Sequence, residues 1–374
     1  MEISQIIKFA AEVLVILFVL FAAQMPLRKK PEKGVRTFVF ILKLLLIPAL
    51  SLFYVAFDNK LSFTHPDIIG AAYIAVIGDV LGSIVEYFIR MIRESNETSD
   101  IYVCKLLHVA ILSVLFSAGA AAFSIWNGTH VKTDERVFVV DELEQEHTFA
   151  FLSDLHMGGG KKTDALEKVI DSINEQKPEF VILGGDITDE FTSYDELTKT
   201  YELLSKLEAP TYFIYGNHDR QTRAKLSGGR TYTDEQLTEA IGNAGITILA
   251  DEYVRIADDL YLLGREDISE KDKRTPWEKL DDPYKGEGAL LIADHQPYDK
   301  DQSENSSAAL QVSGHTHAGQ VFPNRLIYSI SGLETYGEFE RDDSLLYVSS
   351  GLGCWGTPIR TDGRCEWALI TLHP

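Results

Sequence analysis

Nine residues in five short blocks have the types and spacing to do chemistry together. They are Asp154 and His156 in SDLH, Asp186 in GGD, Asn217, His218 and Asp219 in GNHD, His295 in ADHQ, and His315 and His317 in GHTH. These blocks hold five of the ten histidines in the chain. A lone histidine is more often structural than a ligand, and His65, His108, His130, His147 and His373 are read that way. As a set, the blocks offer carboxylate, carboxamide and imidazole donors without thiolate, which suits Mn, Fe, Zn or Ni better than calcium. The donors exceed what one ion with an open position needs and are about enough for two. Two ions roughly 3.5–4 Å apart can clamp a phosphoryl group. His315 and His317 could share one ion, serve two ions or cap a loop. Gly314 before them and Ala318-Gly319 after them argue for a turn at a strand's end.

Each block follows an apolar run that reads as a buried strand: FAFL, FVIL, TYFIY, ALLIA and LQVS. Amphipathic stretches at 163–176 and 193–207 read as helices, and a shorter helix is expected at 233–243. Strand–helix alternation implies an α/β layered domain with parallel pairing, and ligand sites in such sheets collect beyond the carboxyl ends of strands. The later runs LIYSI, LLYVSSG and EWALITL are closer together and read as strands of a second sheet. ITILADEYVRI reads as a hairpin. Residues 127–147, with the apolar VFVV, read as a short connection of strand and turn.

The first third differs. Apolar runs at about 9–25, 37–57, 68–92 and 106–126 predict four membrane helices, since a span needs about 20 residues. Bases flank the first run mainly on its far side (Arg28, Lys29, Lys30, Lys33, Arg36), unlike a cleaved signal. The loop at 58–67 has only Lys60, whereas the loops at 24–36 and around Arg90, Arg93 and Lys105 are basic. The positive-inside rule then puts the N-terminus and everything after Trp126 outside the cytoplasm, in a multi-pass protein of the cell membrane. Residues 1–126 hold 11 Lys/Arg and 10 Asp/Glu, so the whole of the net charge of −21 falls on the remainder. Such an acidic domain repels polyphosphate backbones and argues against nucleic acid as a partner. Glu12, Lys43, Asp79 and Glu86 interrupt the spans. A polar relay is one reading; Lys43 pairing with a carboxylate to hold helices together is the favoured one.

In their order, SDLH, GGDITD, GNHD, a later His and GHTH resemble the calcineurin-like metallophosphoesterase superfamily over residues 148–374. ADHQP, GHTHAGQ and SSGLGCWGTPIR are similar to its membrane-associated bacterial, YkuE-like branch. The resemblance implies a four-layer αββα sandwich, two packed mixed β-sheets flanked by helices, preceded here by the four-helix transmembrane domain at 1–126. It implies two divalent cations, manganese first, with iron, zinc or nickel open. Asp154, His156 and His317 would hold one, Asn217, His295 and His315 the other, and Asp186 would bridge them. His218 would face the substrate and protonate the leaving group or stabilise phosphoryl oxygens, with Asp219 orienting it. A metal-bridging hydroxide would attack phosphorus.

Residues with weaker claims are Gly158, Gly159 and Gly160, read as a turn or a close approach for substrate, and Gln320 and Asp267 as supports of the ligands. Cys354 and Cys365 are read as free thiols rather than a disulfide. The expected function is hydrolysis of a phosphomonoester, phosphodiester or pyrophosphate bond. The substrate would be a phosphate-containing small molecule or a lipid-linked or envelope compound beside the bilayer. The alternative is a non-catalytic membrane sensor that binds metal or ligand through the same domain.

Overall fold

The computed structural model describes residues 3–24, 33–56, 66–93, 99–158, 163–220, 230–280, 288–299, 308–341, 344–356 and 359–374. They divide into two compact units: one drawn from Met1–Asn127, Val321–Asn324 and Gly356–Thr361, the other from Gly128–Gln320, Arg325–Trp355 and Asp362–Pro374. Gly159, Gly160, most of the loop at 24–36 and nearly all of the loop at 58–67 lie outside the described residues.

In the first unit the four apolar runs fold as α1 (Ile3–Gln24), α2 (Lys33–Ala56), α3 (Pro66–Arg93) and α4 (Ser99–Asn127). Among the described residues, two of these helices, not four, carry a stretch long and apolar enough to cross a membrane: Ile68–Ile89 and His108–Asn127. The apolar stretch of α2, Thr37–Leu52, is shorter. Large apolar side chains such as Phe18, Leu45, Leu115 and Phe123 face outward. Helix α3 lies against the other three. A Cβ on Gly78 would stand 2.6 Å from the backbone nitrogen of Ser117, and one on Gly82 would stand 2.9 Å from that of Ser113. Small residues here let the α3 and α4 backbones approach as membrane helices do. Lys43 Nζ lies 2.5 Å from Asp79 Oδ2, and Ser113 Oγ donates to Asp79 Oδ1 at 3.3 Å. The pair therefore ties α2 to α3, as the favoured reading expected.

The same unit includes two short segments from far along the chain. Val321 and Ile359 are buried in one apolar cluster with Phe9, Val13, Tyr73 and Ile74. Tyr73 Oη donates to the carbonyl of Phe322 at 2.6 Å, and Asn324 Nδ2 donates to the carbonyl of Ser51 at 3.1 Å.

The second unit holds two six-stranded mixed sheets. The first has the order β1 (Val131–Val139), β12 (Cys365–His373), β2 (His147–Leu152), β3 (Phe180–Leu183), β4 (Thr211–Phe213), β5 (Thr247–Ile248). The second runs β10 (Gly337–Arg341), β11 (Ser344–Val348), β9 (Leu310–Ser313), β8 (Ala289–Ala293), β7 (Leu260–Gly264), β6 (Glu252–Arg255). Alternation along a strand sends successive side chains to opposite faces. Phe149, Phe151, Phe180 and Ile182 meet Leu262, Leu291 and Val312 of the second sheet. Their neighbours Ala150, Leu152, Val181 and Leu183 meet Leu166, Ile170, Leu197, Leu237 and Ile241 of the helices α5 (Asp164–Gln176), α6 (Tyr194–Leu204) and α7 (Asp234–Asn243). Each large apolar side chain buried this way contributes about 1.5–3 kcal/mol. Capping boxes at Ser193/Glu196 and Thr233/Gln236 start α6 and α7 where the sequence periodicity begins. The outer apolar face of the second sheet (Leu263, Leu290, Ile292) is covered, among the described residues, by Trp277 and Leu280 of a 3-10 turn rather than by a long helix.

Three expectations change. LIYSI lies in α8 (Asn324–Ile330), not in a strand. ITILADEYVRI is no hairpin: β5 pairs with β4 and β6 pairs with β7, so the chain steps between sheets at Asp251. The Asp251 carboxylate anchors that step by accepting from Arg265 Nη1 at 2.6 Å and Glu266 N at 3.1 Å. Residues 127–147 do more than connect, because β1 pairs in parallel with β12 along its whole length.

Candidate metal centre

Strands β2, β3, β8 and β9 lie on buried, mostly parallel ladders, so their carboxyl ends emerge together. The structure gathers six of the sequence-singled residues there into two groups. Asp154, His156 and His317 form one, and Asp186, His295 and His315 the other. Within each group the potential ligand atoms all lie within 4.8 Å of one another. His315 and His317 thus stand in different groups. Their φ angles are +71° and +49°, and Asp154, His156 and Asp186 also adopt the left-handed region. That conformation is costly for residues with a Cβ and concentrates where function requires it.

Within the first group, His156 Nε2 and His317 Nε2 converge to 3.0 Å. His317 Nε2 is 3.6 Å from Asp154 Oδ1. The backbone nitrogen of His315 donates to Asp154 at 3.0 Å, which holds the carboxylate against the GHTH turn. In the second group, His295 Nε2 lies 3.0 Å from Asp186 Oδ2. The other ring nitrogen, Nδ1, lies 2.8 Å from the carbonyl of Gly184, to which it donates as N–H. That bond fixes the tautomer that presents Nε2 as a donor atom to a cation. Asp186 sits between the groups, since its Oδ2 is also 3.8 Å from His156 Nε2.

Glycines make these approaches feasible. A Cβ on Gly216 would fall 2.2 Å from Asp186 Oδ1, so GNHD can pass close to that carboxylate only with glycine first. The following residue, Asn217, keeps Oδ1 buried without a hydrogen-bond partner. A buried orphan acceptor beside two carboxylate–imidazole groups fits a cation ligand better than a structural amide.

Burial and crowding shift these groups unevenly, and burial pushes the Asp154 carboxyl up. Burial would raise Asp186, but the charges of His295 and His218 outweigh it and hold the carboxyl well below the usual range. Burial would lower His295, but Asp186 and Asp154 outweigh it and lift the ring well above the usual imidazole range, so Nε2 holds a proton that a bound cation would displace. Burial and the charge of His295 push His315 down to about 4, leaving it neutral, the ligating form, at ordinary pH. Among the other sequence-flagged residues, Asp267 accepts from Gln296 Nε2 at 3.1 Å and Ser269 N at 2.8 Å. Cys354 and Cys365 are free thiols.

His218 lies beside the candidate centre as expected, whereas Asp219 does not partner its imidazole. The His218 backbone nitrogen donates to Asp186 Oδ1 at 2.7 Å, so the residue is seated at the second group. The Asp219 carboxylate is committed elsewhere, accepting from the backbone nitrogens of Gly216, Asp186 and Thr188 at 2.8, 2.8 and 3.0 Å. It fastens the GGD turn to the GNHD turn. The partner of the imidazole is Glu190, whose Oε2 lies 2.7 Å from His218 Nδ1. Sequence reasoning missed Glu190. Its only signal was an acidic residue directly after Asp189 in GGDITDE. Asp189 itself turns toward the first group, with Oδ2 3.6 Å from His156 Nδ1.

Residues 147–319 match the family model of the calcineurin-like phosphoesterases. An uncharacterized metallophosphoesterase of Helicobacter pylori is 28% identical over 252 residues, covering 65% of this chain and 64% of its own length. This chain therefore spans less than two thirds of that relative. The uncharacterized metallophosphoesterase YkuE of Bacillus subtilis is 30% identical over 232 residues, 59% of this chain and 77% of YkuE. A transmembrane protein with metallophosphoesterase domain from Danio rerio is 26% identical over 297 residues, 76% of this chain and 67% of that protein. With the ordered motifs, the paired carboxylate–imidazole groups and the YkuE match all on one chain, the protein belongs to the calcineurin-like phosphoesterase family.

Proposed function

We propose that this protein is a membrane-anchored, metal-dependent phosphoesterase that hydrolyses a phosphate ester or pyrophosphate bond. The observation that carries the reading is the pair of adjacent, largely buried groups, each with one carboxylate and two imidazoles. Asp154, His156 and His317 would hold one divalent cation; Asp186, His295, His315 and Asn217 would hold a second, with Asp186 shared. When bound, such cations supply Lewis acidity to phosphoryl oxygens and acidify the attacking water. The chain's own residues do the rest. Burial of the ligands keeps competing water out, Asp186 and Asp154 fix the imidazoles, and His218 is seated to hold or deliver a proton to the departing oxygen.

Two helices long and apolar enough to cross a membrane support multi-pass anchoring, and the name of the Danio rerio relative supports membrane association. Anchoring favours a lipid-linked or envelope phosphate as substrate, with the catalytic unit outside the cytoplasm. A cysteine placed at Ser269 and another in the loop at 58–67 test the orientation. Labelling by an impermeant thiol reagent in intact cells is expected at both.

The activity test uses the full chain in detergent with Mn²⁺, assayed on p-nitrophenyl phosphate and bis-p-nitrophenyl phosphate. Turnover of either is expected, with Asp186→Asn abolishing it. On an alkyl phosphate ester, whose leaving group needs a proton, His218→Ala should lose about 10²–10⁴-fold while keeping its metal content. Two bound metals without hydrolysis of any phosphate ester would favour the sensor reading instead.

A further inference from the structure

The loop after β11 and the loop after β9 are clasped to each other at one point. Gln320 Nε2 donates to the carbonyl of Trp355 at 3.1 Å, and the Trp355 backbone nitrogen donates to Gln320 Oε1 at 3.0 Å. The clasp fixes the backbone that carries the indole. Indole Nε1 in turn donates to Glu190 Oε1 at 3.3 Å. The other oxygen of Glu190 faces His218 Nδ1 at 2.7 Å. Glu190 is only 3% exposed, so this carboxylate is held in a dry setting with the imidazole on one oxygen and the indole on the other. The Trp355 ring also lies 6.1 Å from the imidazole, tilted by 35°.

We propose that Trp355, clasped to Gln320, is a positioning residue for His218, acting through Glu190. A glutamate's last torsion is broad and nearly two-fold, so one hydrogen bond leaves the carboxylate free to swing. The indole N–H can only donate, and its second bond removes that freedom. A fixed carboxylate then fixes both the plane of the imidazole and its tautomer, with the proton on Nδ1 and Nε2 presented on the opposite side. Gln320 lies three residues beyond His317, so the clasp also ties the GHTH turn to the residue that handles the proton. The arrangement spans four loops, none of them adjacent in sequence. The inference rests on the phosphoesterase reading for its chemistry, but not for its hydrogen-bond chain.

The test compares Trp355→Phe, which keeps a ring and deletes the N–H, with Glu190→Gln and the double variant, all in the full chain. Two readouts are used. The first is kcat and KM with Mn²⁺ on p-nitrophenyl esters, whose leaving group needs little protonation, and on alkyl esters, whose leaving group needs it. Trp355→Phe is expected to lower kcat on alkyl esters by about tenfold, with KM, metal content and p-nitrophenyl turnover nearly unchanged. Glu190→Gln should lose more on alkyl esters, and the double variant no more than Glu190→Gln alone. The second readout is the ¹⁵N spectrum of labelled histidines in metal-free protein, with the His218 signals assigned through His218→Ala. Those signals should move in Trp355→Phe in the same sense as in Glu190→Gln. Equal losses on both ester classes, additive effects in the double variant, or unmoved His218 signals would each overturn the proposal. A wild-type protein that hydrolyses nothing defeats the phosphoesterase reading alone, and the nitrogen spectrum still decides the hydrogen-bond chain.

Discussion

Gly314 and Asp154 are in such close contact that a Cβ on the glycine would fall 2.3 Å from Asp154 Oδ2 and 2.5 Å from Ser153 Oγ. Asp154 is fully buried and held by the His315 backbone nitrogen, so it has nowhere to retreat. Gly314→Ala should therefore destabilise the domain by about 1–3 kcal/mol, as overpacking of a dense interior does. Metal stoichiometry should fall more steeply than stability. A variant with wild-type melting temperature and two bound cations would show that the turn has slack.

Cation binding should also report the two groups separately. A ligand present at about 100 times its Kd stabilises the native state by about 2.7 kcal/mol. Chelated protein titrated with Mn²⁺ is expected to melt at a higher temperature, and His317→Ala should remove part of that shift. His315→Ala should remove a different part, because the two histidines stand in different groups. Identical titrations for the two variants would mean that they serve one ion.

His147 gives a pH dependence away from the candidate centre. It bridges Glu179 Oε2 at 2.8 Å and Asp259 Oδ1 at 2.9 Å, joining the start of β2 to the turn before β7. Burial alone would lower its pKa, but the two carboxylates outweigh burial and raise it above 6.5. A raised histidine stabilises fully below its unfolded value and loses that contribution as pH climbs through its folded value. Asp259 is lowered despite some burial, by its bonds to His147 and the Glu144 nitrogen, so its contribution is lost as pH falls through its folded value. The urea midpoint should decline as pH rises above the ordinary imidazole value of 6.5, and His147→Gln should flatten that decline. An unchanged slope in the variant would remove His147 from the account.

Lys43 and Asp79 make a prediction for the helices. Lys43→Leu leaves a buried carboxylate without its cation, a change that costs about 3–5 kcal/mol where such pairs have been broken. The variant is expected to melt earlier in detergent, and adding Asp79→Asn should restore much of the loss. Unchanged assembly in the single variant would count against pairing as the role of Lys43.

The parts legible in the sequence were those where local pattern and position agree. Asp154, Asp186, His295 and His315 each follow a short apolar run that meets a turn signal and alternates with amphipathic stretches or further runs, so convergence followed from topology. LIYSI misled because a five-residue apolar run has no period of its own. In α8 it leaves Leu326 and Ile330 exposed at one helical turn's spacing, a pattern that a strand reading scores as core. The step at Asp251 was illegible because strand pattern does not name the partner strand. Asp219 was given to His218 by the family resemblance, yet three converging backbone amides claim its carboxylate. Glu190 reached the imidazole from 28 residues away, a distance no local pattern reports.

The returning segments Val321–Asn324 and Gly356–Thr361 bear on heredity as well as on structure. Val321 and Ile359 are fully enclosed among residues of the helices, so a chain cut after Asn127 would bare both to water. A single recombination point cannot hand the phosphoesterase half to another set of helices intact. Transplanting it would require three coordinated changes, one at the junction and one in each returning loop. The helices and the phosphoesterase-family half of this chain are therefore expected to travel through descent together, not as interchangeable cassettes.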